Sequence, residues 1–258
     1  MRLILTQPAL TAFDNVRSFE AVRRSMDAVP GGFAADDILV LPEHAVFVDA
    51  VPAYVDLLAP LAREAGCHVL GGSFHEIDGE VKRNTGALFA PDGAVLGWYD
   101  KLRPYADERA RVNPGTRLGQ FQVAGRNILV LICADFWFSD LFTQAGTQPD
   151  LVLVPALSVT RKPSPEFSRR LWRHLAISRA YEFGVYAGIS DWAHDSALPR
   201  LMTSGVGGYA DAAHAEPDRF YTPVPASGTL VVEADFDALA QFRHDRTERG
   251  FYWKGGGE

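Results

Sequence analysis

The 258-residue chain predicts an α/β layered sandwich whose sheets mix parallel and antiparallel strand pairs. Three observations predict it. Short apolar runs alternate with segments whose apolar residues recur at helical spacing. Two turn signals, Pro91-Asp92-Gly93 and Ala124-Gly125-Arg126, insert hairpins into that alternation. Apolar residues make up 47% of the chain, enough for a large core, and no Ser/Gly/Pro-rich linker divides it.

"RLILT" (2–6) reads as the first strand. Asp14 can cap a helix over 14–28, where Val16, Phe19, Val22 and Met26 recur at helical spacing. "DILVLPE" (37–43) is the next strand. A helix over 50–65 carries Tyr54, Leu57, Leu58 and Leu61 on one face and stops at Gly66. "CHVLGGSF" (67–74), "NTGALFA" (84–90) and "AVLGWYD" (94–100) are strands, the last two flanking the first turn signal. "GQFQV" and "NILVLICAD" flank the second. "SDLFTQAG" (139–146) suggests a helix just beyond. "DLVLVPA" (150–156) is a strand. Ser164-Pro165-Glu166 then starts a helix over 166–183, with Phe167, Leu171, Leu175 and Ile177 on one face and Gly184 as its stop. "VYAGIS" (185–190) and "TLVVEADF" (229–236) complete the strands.

Composition excludes several function classes. A formal net charge of −7 and no dense Lys/Arg run beyond short clusters such as Arg169-Arg170 argue against nucleic acid or an anionic membrane surface as partner. No run approaches the ~18 apolar residues of a membrane span, and "MRLILTQPAL" holds too short an apolar run for a signal peptide. The chain therefore reads as soluble and cytoplasmic. Its two cysteines, Cys67 and Cys133, form no CxxC pair and fit a reducing compartment. The seven histidines lack HxxxH or HExxH spacing, so metal catalysis has no ligand set in the sequence. "GVGGYA" (205–210) follows no strand and is set aside as a dinucleotide loop. "GGSFH" (71–75) has His75 where a nucleophile elbow needs glycine and reads as a strand end.

Three polar residues stand at the ends of apolar strands: Glu43 after "ILVLP", Lys101 after "VLGWYD" and Cys133 after "ILVLI". Strand ends in α/β folds open into crevices where sites gather. Taken singly, each has a bland reading: a packed thiol, a turn with a surface charge, a solvated lysine. Taken together they suit acyl transfer, with a thiol to attack, a carboxylate to move protons and an ammonium to hold an oxyanion. Cys67 matches no such position and reads as a core thiol; His174 and His194 read as helix-surface and loop residues.

At these residues the chain resembles the nitrilase superfamily of carbon–nitrogen hydrolases. The matching segments are "LPE" (41–43), "VLGGSFHE" (69–76), "NTGALFAPDGAVLGWYDKLRPY" (84–105), "DERARVNPG" (107–115), "ILVLICAD" (128–135), "LVLVPA" (151–156) and "LWRHLAISRAYEFGVYAGIS" (171–190). The resemblance covers most of residues 1–190 and thins after 195. It implies a four-layer α-β-β-α sandwich, one domain over 1–258 with an extended tail from about 246, and pairing through outer helices into a homodimer or higher homo-oligomer. It implies Glu43 as general base, Lys101 as oxyanion partner, Cys133 as nucleophile and Glu108 as a second glutamate, with Asp107 adjacent. The Ala134 N–H is the second oxyanion donor, and no cofactor or metal is required.

The implied reaction cleaves a small amide through a cysteine thioester, with Lys101 and the 139–146 helix lowering the thiol pKa. A nitrilase, an N-carbamoyl amidohydrolase and a catalytically inactive binding protein of the same fold are the alternatives. Members acting on nitriles usually place Trp-Glu after the nucleophile; Ala134-Asp135 is closer to the amidase pattern. Trp137 stands where relatives that hydrolyse amides of amino or dicarboxylic acids often carry arginine. It is expected to wall the pocket and favour an apolar or aromatic acyl group, unless Arg161 or Arg169 supplies the missing charge.

Overall fold

The computed structural model describes residues 1–254. The chain runs through β1 (Arg2–Thr6), α1 (Asn15–Asp27), β2 (Ile38–Val40), α2 (Val51–Ala65), β3 (His68–Leu70), β4 (Phe74–Asp78), β5 (Val81–Phe89) and β6 (Val95–Asp100). It continues through β7 (Gly119–Val123), β8 (Arg126–Val130), α3 (Asp140–Gln144), β9 (Leu151–Pro155), β10 (Val159–Thr160), α4 (Glu166–Phe183) and β11 (Tyr186–Ser190). The last elements are β12 (Met202–Thr203), β13 (Gly208–Ala210), β14 (Tyr221–Pro223), β15 (Thr229–Glu233) and α5 (Phe236–Glu248).

Two mixed sheets form the centre. A seven-stranded sheet has the order β15-β1-β2-β3-β5-β4, with β6 added on β5; a six-stranded sheet has the order β14-β13-β11-β9-β8-β7. The strands are apolar on both faces, and their period-2 alternation sorts the core into layers. Leu3 and Leu5 of β1 pack with Ile38 and Val40 of β2 and with Leu151 and Leu153 of β9 between the sheets. The alternate residues point outward. Ile4 and Leu39 meet α1 and α2 through Val22, Met26, Tyr54 and Leu58. Val152 and Val154 meet Phe142 of α3 and Trp172, Ala176 and Ala180 of α4. The result is the four-layer α-β-β-α sandwich.

The hairpin signals act as expected. Ala90 N–H donates to Ala94 C=O (2.8 Å) across the Pro91-Asp92-Gly93 turn. Ala124 and Gly125 both have positive φ, 46° and 76°, the pattern of a two-residue type I′ loop between β7 and β8. The Asp14 side chain caps α1 by accepting from the Arg17 N–H, and Gly66 and Gly184 end α2 and α4 in the left-handed conformation.

Other expectations are corrected. The 37–43 strand is only three residues long, and the 67–74 strand breaks at Gly71–Ser73 into β3 and β4. "NILVLICAD" pairs only as far as Val130, so Cys133 lies beyond its strand. "ADF" (234–236) leaves the strand and enters α5, capped by Asp235, whose side chain accepts from Asp237 and Ala238 N–H. α5 reaches Glu248, so the expected extended tail begins later than 246; residues 255–258 lie outside the described residues. In α4 the core face belongs to Trp172, Ala176, Ala180 and Phe183, while Phe167 and Leu171 are exposed. Ala176 and Ala180 let the middle of the helix sit close to the sheet, with Trp172 and Phe183 filling the space on either side. Contrary to expectation the short strand β12 precedes "GVGGYA", but the segment runs into β13 and opens no helix. Among the described residues, no helix is long and apolar enough to cross a membrane.

The loop between β3 and β4 packs against the segment that bears Glu43. Gly72 in this loop has φ +66°, and a Cβ there would lie 2.0 Å from the Pro42 carbonyl oxygen. Gly79, at φ +59°, faces open space. Gly72→Ala is expected to destabilise by more than about 3 kcal/mol, because a backbone clash adds to the ~1–2 kcal/mol cost of the left-handed conformation; Gly79→Ala incurs only the latter. Chemical denaturation of both variants checks this, and equal losses would contradict it.

Candidate active site

Both sheets feed one crevice. β2 and β9 belong to different sheets, yet Glu43 N–H, beyond β2, donates to Ala156 C=O, beyond β9 (3.2 Å). The polar residues that follow these strands therefore converge at one end of the sandwich.

Glu43 is buried and fully partnered. Its Oε1 accepts from Lys101 Nζ (2.7 Å) and Asn84 Nδ2 (2.8 Å), and its Oε2 accepts from Leu157 N–H (3.1 Å). Its backbone carbonyl accepts from Trp192 Nε1 (2.7 Å). Lys101 follows β6 and is 4% exposed. Its ammonium also meets Glu108 Oε2 at 2.6 Å. Burial works against that charge, but Glu43, Cys133 and Glu108 together outweigh it and raise the Lys101 pKa, so the group stays an ammonium.

Glu108 sits in a 3₁₀ turn spanning Ala106–Ala110. Burial raises its pKa, but His75, Lys101 and Asn84 more than offset this and hold the carboxyl well below the usual range. Its Oε1 accepts from Asn84 Nδ2 (2.9 Å), so one amide nitrogen ties the two glutamates together. Asp107 is exposed and points away, which separates the two acidic neighbours.

Cys133 opens a second 3₁₀ turn, Cys133–Trp137, with φ +49°, a strained value for a side-chain-bearing residue. The turn re-aims the thiol out of the strand direction. Burial and the charge of Glu43 push the thiol pKa well up, and Lys101 offsets them only in part. This corrects the expected lowering: α3 spans only five residues, and desolvation dominates. Ala134 N–H lies in the first turn, where helix geometry supplies no backbone acceptor. Cys67, in contrast, is fully buried in the helix-side core, its thiol pushed up to about 12 by burial.

Asp135, read from the sequence only as part of the amidase-like pattern after Cys133, and several residues that sequence reasoning did not single out build this arrangement. Asp135 is fully buried and accepts from Leu102 N–H (2.9 Å) and Arg103 N–H (2.8 Å), tying the segment after Lys101 to the turn bearing Cys133. Asp191 accepts from Ser158 N–H and Val206 N–H, both at 2.8 Å, and fixes the segment after β9; burial pushes its carboxyl up to about 6. Asn84, Asp191 and Trp192 gave no signal because their partners are distant in sequence. His44 and His75 stack edge to face beside Glu108, with ring centroids 4.3 Å apart. Burial holds the His44 imidazole well below its ordinary range. His194 Nδ1 is engaged with Thr203 C=O (2.6 Å) and His174 is exposed, so neither reaches the cluster.

A cavity of about 400 Å³ opens beside Cys133 and Ala134. Trp137, Phe138, Leu157, Phe167, Leu171 and Trp172 supply much of its apolar wall. Trp137 is 38% exposed and meets Trp172 edge to face at 5.8 Å. Arg161 and Lys162 also line it; Arg169 instead lines a separate cavity of about 430 Å³.

Asp135 makes the site pH-dependent in a definite direction. Burial pushes its carboxyl from 3.8 up to about 7, against the two N–H donors that lower it. Between these values the folded chain holds a proton that the unfolded chain has lost, so this residue's contribution to stability falls as pH rises through the window. Asp135→Asn removes that slope. Thermal unfolding at pH 5 and pH 8 is expected to show the variant gaining on wild type at the higher pH; a gap that widens with pH would contradict this.

Comparison with known proteins places the chain. Human omega-amidase NIT2 is 29% identical over 150 residues, 54% of this chain and 52% of the relative; the Xenopus laevis omega-amidase NIT2-B is 29% identical over 167 residues, 60% and 57%. The chain thus spans about half the length of the curated relatives it matches. Among solved structures, Saccharomyces cerevisiae Nit3 of the nitrilase superfamily superposes with a TM-score of 0.77 at 20% identity, covering 95% of this chain and 93% of that one. An amidase from Nesterenkonia sp. gives 0.75 at 23%, covering 96% and 95%. At these identities the structures establish the shared fold. The carbon–nitrogen hydrolase profile matches residues 25–211, well over half of the sequence and spanning every member of the Glu43, Lys101, Glu108 and Cys133 cluster; the chain belongs to the carbon–nitrogen hydrolase family.

Proposed function

We propose that the protein hydrolyses the C–N bond of a small amide through a thioester on Cys133. The observation that carries this reading is the buried Glu43–Lys101 pair, braced by Glu108 through Lys101, beside a thiol that is protonated at rest. A protonated thiol needs a base, and Glu43 is the buried carboxylate whose charge already acts on it. Sγ attacks the carbonyl carbon while its proton passes to Glu43, and the carbonyl π pair becomes an oxyanion. Lys101 and the Ala134 N–H hold that oxyanion. Glu43 returns the proton to the leaving nitrogen as the C–N bond breaks, leaving the thioester. Water then adds, giving its proton to Glu43; the C–S bond breaks, the acid departs and the proton returns to sulfur. Glu108 keeps Lys101 charged and aimed, and no step calls on a cofactor.

The relatives support this reading through their names: omega-amidases in sequence, amidases in structure. In a mutant of the Nesterenkonia sp. AN1 amidase, which superposes at TM-score 0.74 and 21% identity over 98% of this chain and 97% of that one, the acetamide moiety of fluoroacetamide is added covalently at the active-site cysteine. Two free cysteines fit a reducing cytoplasm, and homodimerisation is the assembly expected of this family.

Alkylation and ammonia release test the mechanism together. Cys133→Ala is expected to abolish turnover with the fold intact, and Cys67→Ala to keep kcat within a few-fold. Lys101→Ala is expected to lower kcat at least about 10²-fold, measured on the folded fraction because the broken pair also destabilises. Glu43→Gln is expected to stop release of product. Full activity in Cys133→Ala, or loss only in Cys67→Ala, would overturn the assignment.

The cavity wall supports an apolar or aromatic acyl group, selected by Trp137 with Phe167 and Leu171. Arg161 and Lys162 on the same wall favour a second reading, an acyl group ending in a carboxylate. Comparing kcat/KM for an aromatic primary amide against an N-carbamoyl amino acid and an ω-amide of a dicarboxylic acid decides between them. The first reading expects preference for the aromatic amide. Preference for the carboxylate-bearing compounds that collapses in Arg161→Ala would establish the second.

A further inference from the structure

We propose that His44, His75 and Glu108 form a binding site for a borderline divalent cation of the Zn²⁺ class, and that its occupancy silences the adjacent Glu43–Lys101–Cys133 cluster. The silencing, but not the binding, rests on the amidase reading above.

The three donors come from three places in the sequence: the loop after β2, strand β4 and the 3₁₀ turn after β6. Helical His spacing could not reveal them. In space their ligand atoms all lie within 4.8 Å of one another. His75 Nε2 approaches Glu108 Oε1 at 3.7 Å, and it is buried without a hydrogen-bond partner among the described residues. That ring nitrogen, together with the carboxylate and the second imidazole it faces, supplies three of the four donors of a tetrahedral shell. The set is two nitrogens and one oxygen, which suits Zn²⁺, Co²⁺, Ni²⁺ or Cu²⁺ better than Mg²⁺ or Ca²⁺. Tetrahedral bonds of about 2.0–2.2 Å put donors roughly 3.3–3.5 Å apart, so the cluster must contract by about 1 Å. The His75 side chain is 33% exposed, which gives the ring room to turn and a cation a route in.

Contraction has a consequence for the neighbouring site. Asn84 Nδ2 now lies between the donors, 3.5 Å from His44 Nε2 and 2.9 Å from Glu108 Oε1. A cation that takes Glu108 displaces this amide, which also holds Glu43. The same carboxylate holds Lys101 at 2.6 Å, and a dication beside it repels the ammonium. Binding therefore loosens the brace on both Glu43 and Lys101.

Titration of Co²⁺ into metal-free Cys133→Ala protein tests the site with the competing thiol removed. One equivalent is expected to bind with visible d–d absorption and to be displaced by Zn²⁺. Affinity is expected to fall at least about tenfold in Cys133→Ala/His75→Ala and in Cys133→Ala/His44→Ala. No uptake, or uptake unchanged in both double variants, would overturn the site. If the double variants do not fold, the imidazole resonances of His44 and His75 in the Cys133→Ala protein must move on adding Zn²⁺, and unmoved signals overturn it equally. On wild type, Zn²⁺ is expected to lower amide turnover at least about tenfold and EDTA to restore it. Saturating Zn²⁺ that leaves turnover unchanged refutes the silencing. An enzyme without amide turnover in EDTA refutes the amidase reading and leaves the binding result standing.

Discussion

The ion pair between Glu43 and Lys101 is the interaction on which the rest of the site depends. Neither charge reaches solvent, and removing two ions from water costs several kcal/mol each unless every remaining donor and acceptor is satisfied. Satisfaction here is close to complete: Asn84, the Leu157 N–H and Glu108 complete the shell around the pair. The second carboxylate gives the cluster an excess of negative charge. That excess keeps Lys101 charged, while burial first, and then the charge of Glu43, keep Cys133 protonated. On the proposed mechanism, that protonated thiol beside the Glu43–Lys101 pair is the state from which proton transfer and attack start together.

The pair can exist only because two sheets are pressed face to face. Glu43 and Lys101 leave the seven-stranded sheet, whereas Cys133 and Leu157 leave the six-stranded one. Hydrogen bonds cross the seam near the site: two between backbone groups, Glu43 N–H to Ala156 C=O and Asp191 N–H to Thr6 C=O (3.2 Å), and one from Thr6 N–H to the Ser190 side-chain Oγ (3.0 Å). Asp135 adds a cross-tie by holding two N–H groups of the segment after Lys101. Separating the sheets would expose both the inter-sheet core and an uncompensated charge. Catalytic geometry and folding cooperativity thus share the same contacts.

Local chemistry is what the sequence carried well. Period-2 apolar runs, two turn signals, an Asp cap and two Gly stops located most strands and helices α1, α2 and α4, because each signal lies within its own element. Strand-end logic also drew attention to Glu43, Lys101 and Cys133. Properties set by distant neighbours were less legible. Choosing between Asp107 and Glu108 needs the phase of a 3₁₀ turn against Lys101. The rise in the Cys133 pKa needs its burial, which overrides a nearby ammonium that sequence reasoning weighed more heavily. The face of α4 was misassigned because hydrophobicity ranked Phe167 and Leu171 above Ala176 and Ala180, which occupy the sheet-facing side together with Trp172 and Phe183. α5 was missed altogether, its cap Asp235 being read as strand, since the helix buries little besides Leu239 and has no clear apolar stripe.

That misassigned face separates chemistry from selectivity. Phe167 is 60% exposed and Leu171 39%, and both line the cavity beside Cys133 instead of the core. Residues that bury little on folding can be exchanged at small cost in stability, typically within about ±0.5 kcal/mol. The charge cluster behind them has no such freedom, because each member satisfies another's buried charge. On the proposed reading, acyl-group preference can therefore drift by substitutions on one helix face and at Trp137 while Glu43, Lys101, Glu108 and Cys133 stay fixed. The same division explains why Glu43, Lys101 and Cys133 stand out at strand ends and Glu108 by family pattern, while on the proposed reading the identity of the acyl group depends on an outer wall that folding constrains only weakly.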